Sequence, residues 1–263
     1  MTTIGDADLD ASDLDAQVQH LLERAAGIKL VALGFAYPAD GLTGAVREAF
    51  AQIASSPAVL GPGTAVAFDA ARMAWSNPEQ AALQLEFTRL FSRSAACSPH
   101  ETSYGDARRI AGHGVELADI SGFYEAFGFT LSTETPDLPD HLCAELEFYS
   151  LLLVKQAYAR HTAATEHDEV TAHAACAFLE HHLGRWIQAF VDGLGEHQAA
   201  PAYLTLGGLL LGLIQAECEH QGVSPTLLQG RLPPDFTRQD DFTCPMAEPE
   251  PSVPPPDVEA PNG

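Results

Sequence analysis

Basic residues are scarce in this chain. Thirteen Lys and Arg stand against 36 Asp and Glu, a formal net charge of −23 over 263 residues. A surface of that sign repels phosphate backbones, so nucleic-acid binding is not expected. It attracts basic peptides and protein surfaces instead. Cysteine is equally scarce: five residues, an odd number and widely scattered, do not build a disulfide framework. Aromatic residues make up 8%, and segments rich in Val, Ile and Thr are few. That balance favours helices over sheets. No basic stretch followed by an apolar one opens the chain. Asp6, Asp8, Asp10, Asp13 and Asp15 stand there, which does not read as a secretory signal. Long apolar runs are missing as well. The longest, around Leu204 to Ile214, contains Gly207, Gly208 and Gly212 and is expected to be too short to span a bilayer. A cytoplasmic protein without stable membrane insertion is the consistent expectation.

What the chain does have is helical periodicity, and 46% hydrophobic residues to supply a core. Leu14, Val18, Leu21, Ala25, Ile28, Ala32 and Phe35 fall on one helical face, which Tyr37-Pro38 ends. Further helices are expected over Leu42–Ile53, Thr64–Trp75, from Asn77-Pro78-Glu79 to Phe91, and up to a C-terminal stop at Gly128. Three more follow: from Pro139 to about Arg160, from Glu169 to Leu194 with Phe178, Trp186, Ile187 and Phe190 inside, and from Pro201 to about His220. The expected fold is all-α, a single domain of about eight to ten helices over residues 13–231. Residues 1–12 read as a disordered acidic arm, and 232–263 as a Pro-rich acidic tail, largely disordered.

The stretch from Pro139 to Phe148 carries the sharpest contrast. It reads as a helix opening, with Asp137 as the cap, Pro139 in the first turn, and Asp140 where the helix dipole favours a carboxylate. His141, Glu145, Phe148 and Leu152 share one side, and Leu142, Leu146, Tyr149 and Leu153 form the neighbouring apolar stripe. One turn apart, His141 and Glu145 are candidate metal ligands. His173 with Cys176, His181-His182, and Cys218 with His220 add ligand types, so a helical metal-dependent enzyme is an alternative reading. Against it, the chain has no H-E-x-x-H, no G-x-S-x-G elbow and no phosphate-cradling Gly-rich loop. No catalytic residue, metal or cofactor is expected. Arg108-Arg109 lies mid-chain and reads as a solvated helix face rather than an export signal.

Three stretches, that from Pro139 to Phe148 included, occur in order: Leu85-Glu86-Phe87-Thr88-Arg89-Leu90-Phe91, Pro99-His100-Glu101-Thr102-Ser103-Tyr104, and Pro139-Asp140-His141-Leu142 with Glu145-Leu146-Glu147-Phe148. Phe123-Tyr124 and Phe127-Gly128 precede the third. Together they resemble the TorD-like chaperones, the dedicated maturation proteins of molybdoenzymes in the dimethyl-sulfoxide-reductase family. The matching family patterns are E-Y/F-x-x-L-F, Pro-aromatic-Glu-Ser-x-Tyr, F-Y-x-x-F-G and P-D-H-L-x-x-E-L-x-F. The similarity runs over roughly residues 14–220. His100 stands where the family has an aromatic, and Thr102 where it has Ser; Cys244-Pro245 lies outside the match.

The resemblance implies an all-helical, non-enzymatic protein, monomer or homodimer. Its partner is the apo catalytic subunit of a molybdoenzyme, held in the cytoplasm while the molybdopterin cofactor is inserted, together with that subunit's twin-arginine leader. Leader contact is expected at Leu90, Phe91, Pro99, His100, Glu101, Tyr104, Asp140 and His141. Glu101 and Asp140 would meet arginines, and Leu90, Phe91 and Tyr104 would form the exposed edge of an apolar groove. Glu86, Phe87, Pro139, Glu145, Leu146 and Phe148 are the expected structural signature.

Overall fold

Nine α-helices fill the computed structural model, which describes residues 5–54, 62–92, 97–105, 112–131 and 138–230. They are α1 (Gly5–Gly34), α2 (Leu42–Ala54), α3 (Pro62–Ala74), α4 (Gln80–Phe91), α5 (His113–Ala126), α6 (Leu142–His161), α7 (Thr165–Phe178), α8 (Gly184–Glu196) and α9 (Pro201–Gln221). A short 3-10 turn, Glu101–Ser103, lies between α4 and α5, and a π turn, Leu179–Leu183, joins α7 to α8. The all-α expectation holds. The chain divides at Leu232 and Pro233; the tail beyond, Cys244-Pro245, Arg108-Arg109 and Asp137 lie outside the described residues.

Helix boundaries follow local chemistry. α5 stops where Gly128 takes a φ of 68°, and α9 where Gly222 takes the same value, the left-handed turn that glycine adopts without strain. Three boundaries differ from the sequence reading. α1 already runs from Gly5, inside the segment expected as a separate arm. α7 begins at Thr165, since only Thr162 and Ala163 are needed for the turn after α6. The single helix expected over Glu169–Leu194 is two helices with a π turn between them.

α6 is the element the fold is built around. It packs along α1 on one side and α7 on the other, and α9 packs against α3, α8 and α1. Leu142, Leu146, Phe148, Tyr149, Leu152 and Leu153 of α6 are all fully buried. Phe148 is an aromatic hub: its ring centroid lies 4.8 Å from Tyr124, 4.9 Å from Phe178 and 5.7 Å from Phe129. A second aromatic group joins Phe35, Phe91, Phe190 and Tyr203, where α1, α4, α8 and α9 meet. One buried ionic group ties three helices together. Arg24 of α1 donates to Glu217 of α9 through Nε at 2.7 Å and Nη2 at 2.5 Å, and Tyr149 Oη of α6 donates to the same carboxylate at 2.7 Å.

The apolar run around Leu204 to Ile214 is part of a 21-residue helix. By length and composition α9 could therefore cross a membrane, contrary to the expectation from the run alone; half of its apolar window is buried inside the fold. Gly207 accounts for one close approach there, since a Cβ at that position would lie 2.7 Å from Leu194 Cδ1.

Candidate functional site

The loop after α4 and the start of α6 are joined backbone to backbone. Leu142 N–H donates to Pro99 O at 2.8 Å, and Glu101 N–H donates to Asp140 O at 3.0 Å, so His100 and His141 pair as an isolated antiparallel bridge. The loop is also held from within. Cys97 N–H donates to Leu90 O at 2.9 Å, and Tyr104 Oη donates to Ser98 O at 2.7 Å. Tyr104 stacks on Trp186 of α8 with centroids 5.4 Å apart. Tyr124 of α5 donates its hydroxyl to Pro139 O at 2.7 Å. Two stretches some 40 residues apart in the sequence thus form one structure.

Asp140 is its centre. The helix expected to start at Pro139 starts at Leu142, and His141 is its N-cap, with Nδ1 accepting from Cys143 N–H at 3.2 Å. Asp140 therefore does not sit in the first turn. It is fully buried, and its carboxylate accepts from Thr102 N–H at 3.1 Å, Thr102 Oγ1 at 2.6 Å and His100 Nδ1 at 3.2 Å. The two positions that depart from the resembled family, His100 and Thr102, supply all three of these donors. Burial raises the pKa of Asp140, but the bonds from His100 and Thr102 outweigh it and hold the carboxyl below its ordinary range. A depressed folded value contributes stability that is present above the ordinary value of 3.8 and is lost as pH falls through the lowered one. Thermal melts of wild type and Asp140→Asn across that acidic range check this: the wild type loses stability with falling pH more steeply, and the two curves converge at the acid end.

Behind Asp140 lie two more buried carboxyl groups and a buried histidine. Glu145 of α6 accepts from Trp186 Nε1 at 3.1 Å through Oε2. His182, in the π turn, faces Glu101 Oε2 with Nδ1 at 3.2 Å and Asp119 Oδ2 with Nε2 at 3.1 Å. A ring protonated on both nitrogens donates to both. His182 was visible in the sequence only as half of His181-His182. Its role depends on the π turn, a feature often found at functional sites.

Several expected contact residues are thereby corrected. Glu101 and Asp140 are buried and engaged inside the protein, so neither presents a free charge to a client arginine. Leu90, Phe91 and Tyr104 belong to the core rather than to an exposed groove edge, because the loop folds back over α4 and α8. Pro99, His100 and His141 keep partial exposure. Glu86 accepts from Ala200 N–H at 2.7 Å and from Arg89, fastening α4 to the approach to α9. Phe87 is half-buried against Tyr37 and Phe91.

The proposed metal ligands do not assemble. Among the described residues no three His, Cys, Asp or Glu side chains converge to hold an ion. His141 is occupied as a cap, Glu145 is turned to Trp186, and Cys176 Sγ faces Gln221 Oε1 at 3.2 Å.

An exposed apolar cleft of about 370 Å³ lies between α1 and α2, floored by Ala26, Leu30, Leu33 and Ile53, with Leu22 at its edge. Among the described side chains of these two helices, Asp13, Asp15, Glu23 and Glu48 stand against Lys29, Arg47 and the buried Arg24, which is already paired with Glu217.

Comparison with known proteins follows the same lines. The model of the nitrate reductase delta subunit family matches residues 39–192, more than half of the chain. The chlorate reductase assembly chaperone protein of Ideonella dechloratans is 28% identical over 54% of this chain and 72% of its own length. The selenate reductase assembly chaperone protein of Thauera selenatis is 29% identical over 53% of this chain and 70% of its own. The perchlorate reductase assembly chaperone protein of Dechloromonas aromatica (strain RCB) is 37% identical over 39% of this chain and 45% of its own.

Proposed function

Because this chain belongs to the nitrate reductase delta subunit family, within the TorD-like chaperones of dimethyl-sulfoxide-reductase-family molybdoenzymes, we propose that it holds an immature catalytic subunit in the cytoplasm until its molybdenum cofactor is in place. The observation that carries this reading is the agreement of three relatives, each an assembly chaperone of a reductase that acts on an oxyanion. The client is accordingly a reductase subunit of that class. The chaperone also recognises the client's leader and delays its export.

The cleft between α1 and α2 takes the apolar part of that leader as a helix in a groove. The acidic excess on the same helices draws its basic part. Pro99, His100 and His141, the partly exposed rim of the joined loop, meet the folded body of the client. Titration of a synthetic twin-arginine leader into the full chain tests the first contact. Binding is expected to weaken as salt rises, and Leu22→Asp, at an exposed position, should lose affinity at unchanged melting temperature. Undiminished binding by that variant rules out the cleft. Failure of the wild type to bind either leader or apo subunit rules out the chaperone reading itself.

A further inference from the structure

Glu145 Oε2 accepts from Trp186 Nε1, but Oε1, fully enclosed, has no hydrogen-bond partner. A buried carboxylate with one oxygen unsatisfied and no cation beside it is strongly disfavoured. The groups that face it come from four elements. Glu101 comes from the 3-10 turn, Asp140 from the segment before α6, Trp186 from α8 and the Tyr124 phenol from α5. The nearby imidazoles are directed elsewhere: His182 to Glu101 and Asp119, His100 to Asp140, and His141 to its own helix. Glu145 thus faces two carboxyl groups, a phenol whose proton is already given to Pro139 O, and one indole donor. Burial raises its pKa well above 4.5; Glu101 and Asp140 add to the rise, and the Trp186 bond opposes it without cancelling it.

We infer that Glu145 is a buried proton site: it carries its proton on Oε1 while the Pro99–Tyr104 loop is closed, and releases that proton to water when the loop lifts. The loop and the acid are mechanically joined, since Tyr104 stacks on the same indole that reaches Glu145, and Glu101 is the loop's own carboxylate. The closed form binds the proton more tightly than the open one. Closure is therefore fully favoured below 4.5 and weakens as pH rises through the raised value of the closed form. This inference stands apart from the chaperone reading and is tested without a client.

Two measurements on the full chain decide it. An infrared difference spectrum between wild type and Glu145→Gln, followed across a pH series upward from 4.5, should contain the C=O stretch of a buried carboxylic acid, present in the wild type alone and persisting above the ordinary carboxylate range. Hydrogen exchange over residues 97–105, taken as the ratio of the two proteins across a pH series, cancels the intrinsic chemistry of exchange. That ratio should rise with pH, because the glutamine variant has no proton to lose. Absence of the acid band, or a ratio that does not change with pH, overturns the inference. Should Glu145→Gln not fold, Glu101→Gln serves instead: with one repelling charge gone, the Glu145 band should titrate away at lower pH than in the wild type, and an unshifted titration overturns the inference.

Discussion

Phe148→Ala lowers folding stability by about 3–5 kcal/mol, the usual cost of truncating a fully enclosed Phe. The position is fully buried, and its ring touches α5, the residues after α5 and α7 at once. Close packing leaves no single neighbour free to fill the space, since each is fixed by other rings. Tyr124 is tied by its hydroxyl to Pro139, and Phe178 also packs on Phe123. The loss should sit at the upper end of its range for that reason. Phe148→Leu, which retains most of the volume, should lose distinctly less. Phe87→Ala should fall below both, because Phe87 is only half-buried. Urea denaturation of the three variants orders them; an equal loss at Phe87 and Phe148 would mean that the hub does not carry the load described.

The second large effect lies at the other side of α6. Arg24→Ala leaves Glu217 inside the protein with only the Tyr149 hydroxyl to answer it. Removal of one partner from a buried pair costs about 3–5 kcal/mol, mainly through the charge left behind. Arg24→Met combined with Glu217→Gln removes both charges, keeps the volume and leaves an acceptor for Tyr149 Oη, and should come close to the wild type. The double variant separates the two explanations. If it is as unstable as Arg24→Ala alone, the pair stabilises α1 against α9 by attraction. If it recovers, the pair mainly avoids an unpaired charge.

Much of the fold was legible because helices of this kind are written locally. The spacing of Leu21, Ala25, Ile28 and Ala32 names the inner face of α1, and Gly128 and Pro201 mark boundaries through backbone chemistry of their own. The start of α6 was not legible in the same way. Asp and Asn caps are preferred over His, so the sequence reads Asp137 as the cap and Asp140 as a first-turn carboxylate. The preference was overridden from 38 residues away, where Thr102 claims the Asp140 carboxylate for the loop. Burial of Glu101 and Glu145 was hidden for a similar reason. Carboxylates enter an interior only with partners, and those partners, His182 and Trp186, lie 81 and 41 residues away. The contact set inferred from resemblance mixed residues that build the loop with residues that face outward, a difference that only tertiary structure draws.

The π turn between α7 and α8 acts as a phase shifter. A π turn closes its hydrogen bond one residue later than an α turn, and one residue of an α-helix is about 100° of rotation. The five residues Leu179–Leu183 therefore set the azimuth of α8 relative to α7. Deleting one of them would let the two helices merge and would turn Trp186, Ile187 and Phe190 about a quarter-turn or more away from their present neighbours. The indole would leave Glu145, and the stack under Tyr104 would go with it. Chain length in this segment is thus under a constraint independent of residue type: substitutions within it can be absorbed, whereas a change of one in its count moves every side chain that α8 presents to the loop.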